Sequence, residues 1–146
     1  MSTTEKSISE RSTVHSTFVI ERTYAASPER VFAAWSDQAA KAQWFGPDEK
    51  HAESYSLDFR EGGREHLSVP APDGVVYSFD AVYADIVPAQ RIVHTYDMHR
   101  DHVRISVSVA TIEFEQGVFL DGLDAPAERE HGTNALLDAL ESHLRQ

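Results

Sequence analysis

Apolar and polar positions alternate along much of the chain. In residues 17–24, Phe18, Ile20 and Tyr24 fall on one face and Thr17, Glu21 and Thr23 on the other, with Arg22 as the exception. This predicts a half-buried strand. Ser27-Pro28-Glu29 then reads as a helix start, because Ser27 can accept from an early backbone N–H and Pro28 needs no donor in the first turn. Val31, Phe32 and Trp35 follow at helical spacing. Asp37 is placed to cap a second short helix to about Gln43, ended by Gly46-Pro47.

Period-two patterning resumes at Tyr55, Leu57 and Phe59. Glu61-Gly62-Gly63-Arg64 predicts a turn and residues 66–69 a short strand. Val75, Tyr77, Phe79, Ala81 and Tyr83 share one face of a long strand, and Ile92, His94, Tyr96 and Met98 one face of the next. From His102 onward Val103, Ile105, Val107 and Val109 are in phase, but the apolar positions further on are Ile112 and Phe114. A bulge, or solvent-side packing of those two, would account for the change. Residues 126–145 carry a narrow stripe of Leu136, Leu137, Leu140 and Leu144, extended by Thr133, which predicts a last helix, with Asp124 as its cap and Pro126 near its first turn.

Strands joined by hairpin-length turns pair antiparallel, and helices at the ends of the run make the class α+β. The expected architecture is a helix-grip: a curved antiparallel sheet around a long C-terminal helix, with two short helices after the first strand. Residues 1–16 are polar, with only Ile8 and Val14 as aliphatic residues, and are expected to form a loose tail, with one domain over residues 17–146.

Composition narrows the function. The chain has no cysteine, so disulfide, thiolate and cysteine–zinc chemistry are excluded. A cytoplasmic home is compatible with that. The formal net charge of -11 without a basic stripe argues against nucleic acid. No apolar run is long enough to span a membrane.

The chain resembles the START-like helix-grip superfamily of birch-pollen-allergen-like carriers, polyketide cyclases and aromatases. Within it, the chain is most similar to bacterial relatives of the C-terminal domain of the activator of the ninety-kilodalton heat-shock-protein ATPase. The carrying pieces are Ala26-Ser27-Pro28-Glu29-Arg30-Val31-Phe32-Ala33-Ala34-Trp35, Trp44-Phe45-Gly46-Pro47 and Asp58-Phe59-Arg60-Glu61-Gly62-Gly63, then residues 83–92 and 122–144. The resemblance implies a last hairpin before the C-terminal helix. The run from Glu113 to Phe119 leaves no room for it. Either the hairpin is deleted or its residues are missing from the sequence. The second is expected, since a lost central strand would expose ladder groups.

The expected role is binding a small hydrophobic or aromatic ligand in a cavity between sheet and final helix. The expected lining is Trp35, Trp44, Phe45, Phe59, Tyr77, Phe79, Tyr83, His94, Tyr96 and His131. Each has a plainer reading. Tyr77, Tyr83, His94 and Tyr96 can be core residues with internally bonded tips. Trp44 and Phe45 can lid a cavity or plug it. His131, beside Gly132, can be a helix-to-sheet contact, and with Glu128 makes only a weak metal pair. His66 suits an exposed strand position. No nucleophile elbow, phosphate loop or dinucleotide fingerprint is present. No catalytic residue, metal or cofactor is therefore assigned, and a binding module is expected rather than an enzyme. The alternatives are a cyclase or aromatase using His/Tyr acid–base groups, and a co-chaperone-like interaction protein. The expected partner is the small molecule, with no nucleic acid or membrane, and a homodimer is left open.

Overall fold

The computed structural model describes residues 13–46, 54–116 and 131–146, the side chains of the last segment from Ala135 on. The elements are α1 (Pro28–Ser36), α2 (Gln38–Trp44), β1 (Tyr55–Leu57), β2 (Arg64–Pro70), β3 (Val76–Val87), β4 (Arg91–Arg100), β5 (Val103–Glu113) and α3 (His131–Leu144). The strands form an antiparallel sheet in the order β1-β2-β3-β4-β5. The α+β class and helix-grip arrangement expected from the pattern are present.

The capping residues act as their chemistry requires. Ser27 Oγ accepts from Arg30 N at 3.2 Å, with Pro28 in the first turn of α1. The Asp37 carboxylate accepts from Ala40 N at 2.9 Å and starts α2. Arg30 donates to the carbonyls of Leu144 and Gln146, so a cation sits on the C-terminal end of α3. Trp44 Nε1 donates to Ala34 O at 3.0 Å and ties α2 to α1.

The Gly62-Gly63 turn is fixed sterically. A Cβ on Gly63 would lie 2.0 Å from Asp58 O, and Gly62 has φ +80°. The turn extends the ladder onto β3: Gly62 N donates to Tyr83 O at 2.8 Å and Tyr83 N donates to Gly63 O at 3.0 Å. Just beyond, the β3–β4 register shifts between Tyr83 and Asp85. The two features together hold Tyr83 against the sheet floor.

Several expectations are corrected. Residues 17–24 form no strand. Their side chains dock on α3 instead, through Arg22 to Asp138 at 2.6 Å and Tyr24 OH to Leu137 O at 3.3 Å. The arginine that broke the alternation is therefore the residue that anchors the segment. Phe59 lies just past the end of β1. In β5 the register shifts next to Met98, so that Ser106 faces Met98 while Arg104 faces His99, leaving Ile105 as the extra residue of a bulge. Ser108, Ala110 and Ile112 thus take the concave side, opposite Tyr96, His94 and Ile92. Val107 and Val109 are on the convex side, 66% and 72% exposed. The final helix is described from His131. Residues 126–130, with the expected hairpin region from 117 and the cap Asp124, lie outside the described residues.

Helix α3 packs against α1 and α2. Its Leu140 and Leu144 join Val31, Ala34, Trp44, Phe45, Tyr55 and Leu67 in one core cluster. The sheet is thus gripped partly through the end of α2, where Trp44 and the capping Phe45 belong to the same cluster.

Candidate functional site

The concave side of the sheet follows from register. One row runs Leu57, Glu65, Ala81, Tyr96, Ser108, and a neighbouring one Tyr83, His94, Ala110. A carboxylate therefore stands mid-floor beside a small residue. Glu65 is 1% exposed. Lys41, on α2, reaches down to it, with Nζ 2.7 Å from Glu65 Oε2. Tyr83 OH donates to Glu65 Oε1 at 2.7 Å, and Tyr55 OH donates to Oε2. Lys41 Nζ also lies 3.4 Å from Tyr83 OH.

Aromatic faces surround the amine. Nζ is 4.5 Å from the ring centre of Phe45, 5.0 Å from Trp35 and 6.0 Å from Trp44. Burial pushes the Lys41 pKa below the usual lysine range, opposed by the neighbouring Glu65. Burial, reinforced by Glu65, raises both Tyr55 and Tyr83 far above an ordinary phenol. Both are neutral donors to the carboxylate. His94 packs at a tilt between Tyr83 and Tyr96, with ring centres 5.4 Å and 5.6 Å away. Its buried Nδ1 has no hydrogen-bond partner among the described residues. Burial, then the nearby Lys41 charge, lowers its pKa to about 4.

A cavity of about 490 Å³ lies against this cluster, on the far side of Trp35. Val31, Trp35, Ile112, Phe114, Leu137 and Leu140 give it an apolar wall, with Ile20 and Tyr24 from the N-terminal segment. Glu29, Glu113 and Glu115 add carboxylates, and Arg22 adds a cation already engaged by Asp138. The Trp35 ring is therefore a partition, with the Lys41–Glu65 pair on one side and the cavity on the other.

The ten expected lining residues separate accordingly. Trp35 borders the cavity. Trp44 and Phe45 are buried, meet edge to face with ring centres 5.9 Å apart, and act as a plug. Phe59 meets Tyr83 at 5.0 Å, and Phe79 meets Phe45 and Tyr96 at 5.0 Å each. Tyr83 and His94 are buried beside Glu65 and Lys41. Tyr77 stays exposed toward the other end of β3. The side chain of His131 lies outside the described residues. The structure thus gathers Phe79, Tyr83, His94 and Tyr96 into one aromatic run and places the open space elsewhere. His66 is on the convex face, held by Asp80 at 2.7 Å and Ser68 at 3.0 Å, where water competes for each bond.

Sequence reasoning passed over Lys41 and Glu65. Their signal was in the pattern. Glu65 has the phase of Leu67 and Val69, and Lys41 stands three and four residues before Trp44 and Phe45. A charge on an apolar face is the informative exception. Among the described residues no group of three or more His, Asp or Glu side chains is placed to hold a metal. No described helix is long and apolar enough to cross a membrane.

Comparison with known proteins extends the picture. A family model described as Activator of Hsp90 ATPase homolog 1-like protein matches residues 25–118. Among solved structures, a protein of Rhizobium leguminosarum is similar at 40% identity and TM-score 0.75, over 87% of this chain and 93% of that one. Protein Mll3558 of Rhizobium loti is similar at 38% identity and TM-score 0.72, over 89% and 97%. Protein CV1439 of Chromobacterium violaceum, at 24% identity and TM-score 0.63 over 86% and 94%, shares the fold. No curated protein matches.

Proposed function

The chain belongs to the Activator of Hsp90 ATPase homolog 1-like family, and from that premise we propose that it is a binding module for a small aromatic or apolar molecule. START-like folds commonly bind hydrophobic ligands. The observation that carries the reading here is the cavity walled by Val31, Trp35, Ile112, Phe114, Leu137 and Leu140. Its volume of about 490 Å³ is in the range of small-molecule sites. Carboxylates of Glu29, Glu113 and Glu115 at the wall disfavour an anionic headgroup. A neutral aromatic or alicyclic compound fits better than a fatty-acid anion.

Cyclase-type catalysis is less well supported. The polar groups that could serve as an acid–base pair converge on Glu65 and satisfy one another there. Beside that cluster, the Nδ1 of His94 has no hydrogen-bond partner among the described residues, and His94 is 5% exposed.

The test is a thermal-shift screen with neutral aromatics, sterols and fatty acids, followed by tryptophan fluorescence titration of the hits. A neutral binder should raise the melting temperature and change the emission of Trp35. Leu137→Trp, which fills the cavity from a half-buried position, should abolish both effects while the protein stays folded. A screen without a single stabilising compound would defeat the proposal. So would binding that survives Leu137→Trp unchanged.

A further inference from the structure

The convex face of the sheet, turned away from the cavity, carries an ordered trio of side chains that the binding role does not use. His66 and Asp80 are direct partners across the β2–β3 ladder. Ser68 lies two residues further along β2 and so shares their face. His66 Nδ1 is 2.7 Å from Asp80 Oδ1, and His66 Nε2 is 3.0 Å from Ser68 Oγ. Both ring nitrogens are engaged, each by a different kind of group.

These partners fix the tautomer. An ionised carboxylate only accepts, so the proton of the neutral ring sits on Nδ1, toward Asp80. Nε2 is then the acceptor, and the Ser68 hydroxyl donates to it. A carboxylate that orients Nδ1–H, with Nε2 set to take a serine proton, activates a hydroxyl for attack. A plain ion pair would involve His66 and Asp80 alone, and with side chains 44% and 51% exposed it would add little stability. The same exposure gives a solute access to the imidazole.

The neighbours limit the substrate. Ser78 stands opposite Ser68 in the ladder. Such pairs have Cβ atoms about 4.5–5.5 Å apart, so the Ser78 hydroxyl is placed to donate to an oxyanion forming at Ser68. Pro70 and Val76 are paired one step further along the same face and offer a small apolar shelf for an acyl group. A single hydroxyl is a weaker trap for an oxyanion than a preorganised set of donors in a dry site. That suits esters with a good leaving group and a short acyl chain, and not amides.

We propose that Ser68, His66 and Asp80 form a hydrolytic site for short-chain esters on the convex face, separate from the cavity. Ser68 Oγ bonds to the ester carbonyl carbon as its proton passes to His66 Nε2. The tetrahedral intermediate collapses, the bond to the leaving oxygen breaks, and the alcohol departs with the proton from His66. Water then attacks the acyl-serine while giving a proton to His66, and the acid is released as that proton returns to Ser68. Ser68 and His66 are the catalytic residues. Asp80 acts through His66 and is a positioning residue.

The experiment uses the full chain, with para-nitrophenyl acetate as substrate and a fluorophosphonate as covalent probe, the labelled residue being located by peptide mass spectrometry. The ester should be hydrolysed above the buffer rate, and the probe should modify Ser68 in preference to the other serines. Ser68→Ala and His66→Gln should each lower kcat/KM by about a hundredfold, the lower end of what general-base catalysis supplies. Asp80→Asn should lower kcat and leave KM unchanged. All three positions are partly or fully exposed, so far-ultraviolet spectra should not change. Failure of the unmodified protein either to hydrolyse the ester or to take the label at Ser68 would overturn the proposal, whether or not the variants fold. So would turnover that survives Ser68→Ala, because another group would then be attacking the ester directly. An Asp80→Asn variant with the parent kcat would overturn the assignment of the trio.

Discussion

Replacing Lys41 by methionine keeps the unbranched side chain as far as Cε and removes the charged amine. The ammonium leaves three ring faces within 6.0 Å and a carboxylate oxygen at 2.7 Å. Glu65, 1% exposed, then keeps two phenol donors and loses its cation. Breaking a buried pair from one side costs about 3–5 kcal/mol, because the remaining charge is stranded in a poorly polarisable interior. At this chain length that corresponds to a fall in melting temperature of roughly 10–20 °C. Glu65→Gln strands the lysine instead, keeps one acceptor for the tyrosines, and should cost a similar amount. In the double variant neither charge is left unpaired. Its loss should be smaller than the sum of the two single losses by about 2–3 kcal/mol. Urea unfolding followed by tryptophan emission gives all three values from one assay. Strict additivity, or a Lys41→Met loss below about 1 kcal/mol, would refute the claim that the pair is a coupled, desolvated unit.

Two further outcomes test the surroundings of that pair. His94 has a folded pKa of about 4 against an ordinary 6.5. A base with a depressed folded pKa stabilises the fold fully above its unfolded pKa. About 3 kcal/mol should therefore be lost as pH falls from roughly 6.5 to 4, and His94→Phe should remove most of that slope in unfolding measured across the range. A slope unaltered by His94→Phe would show that another group carries it. Gly63→Ala should cost about 2–4 kcal/mol, because the new Cβ meets Asp58 O at 2.0 Å and pushes the turn off Tyr83. Gly62→Ala has open space and bears only the positive φ, a cost of about 1–2 kcal/mol. Thermal unfolding that ranks the two the other way would contradict the steric account.

Local chemistry was legible wherever neighbours in sequence decide the outcome. Ser27, Pro28 and Asp37 marked both helix starts, and the period-two faces of β3 and β4 placed Tyr83 and His94 on the buried side. Those features need only backbone geometry and a caps-and-turns chemistry that acts over three or four residues. Residues 17–24 have a strand pattern yet form no strand, because a strand exists only where another ladder accepts it, and here Arg22 and Tyr24 find α3 instead. The Lys41–Glu65 pair spans two elements, and its attraction has meaning only once both ends are dry. The position of the cavity is likewise a residue of packing: once Trp44 and Phe45 fill the space above the sheet, the remaining volume moves to the other side of Trp35. Alternation told which side chains face inward; only the folded chain decided what they meet there, because burial and ion pairing depend on distances that sequence order does not fix.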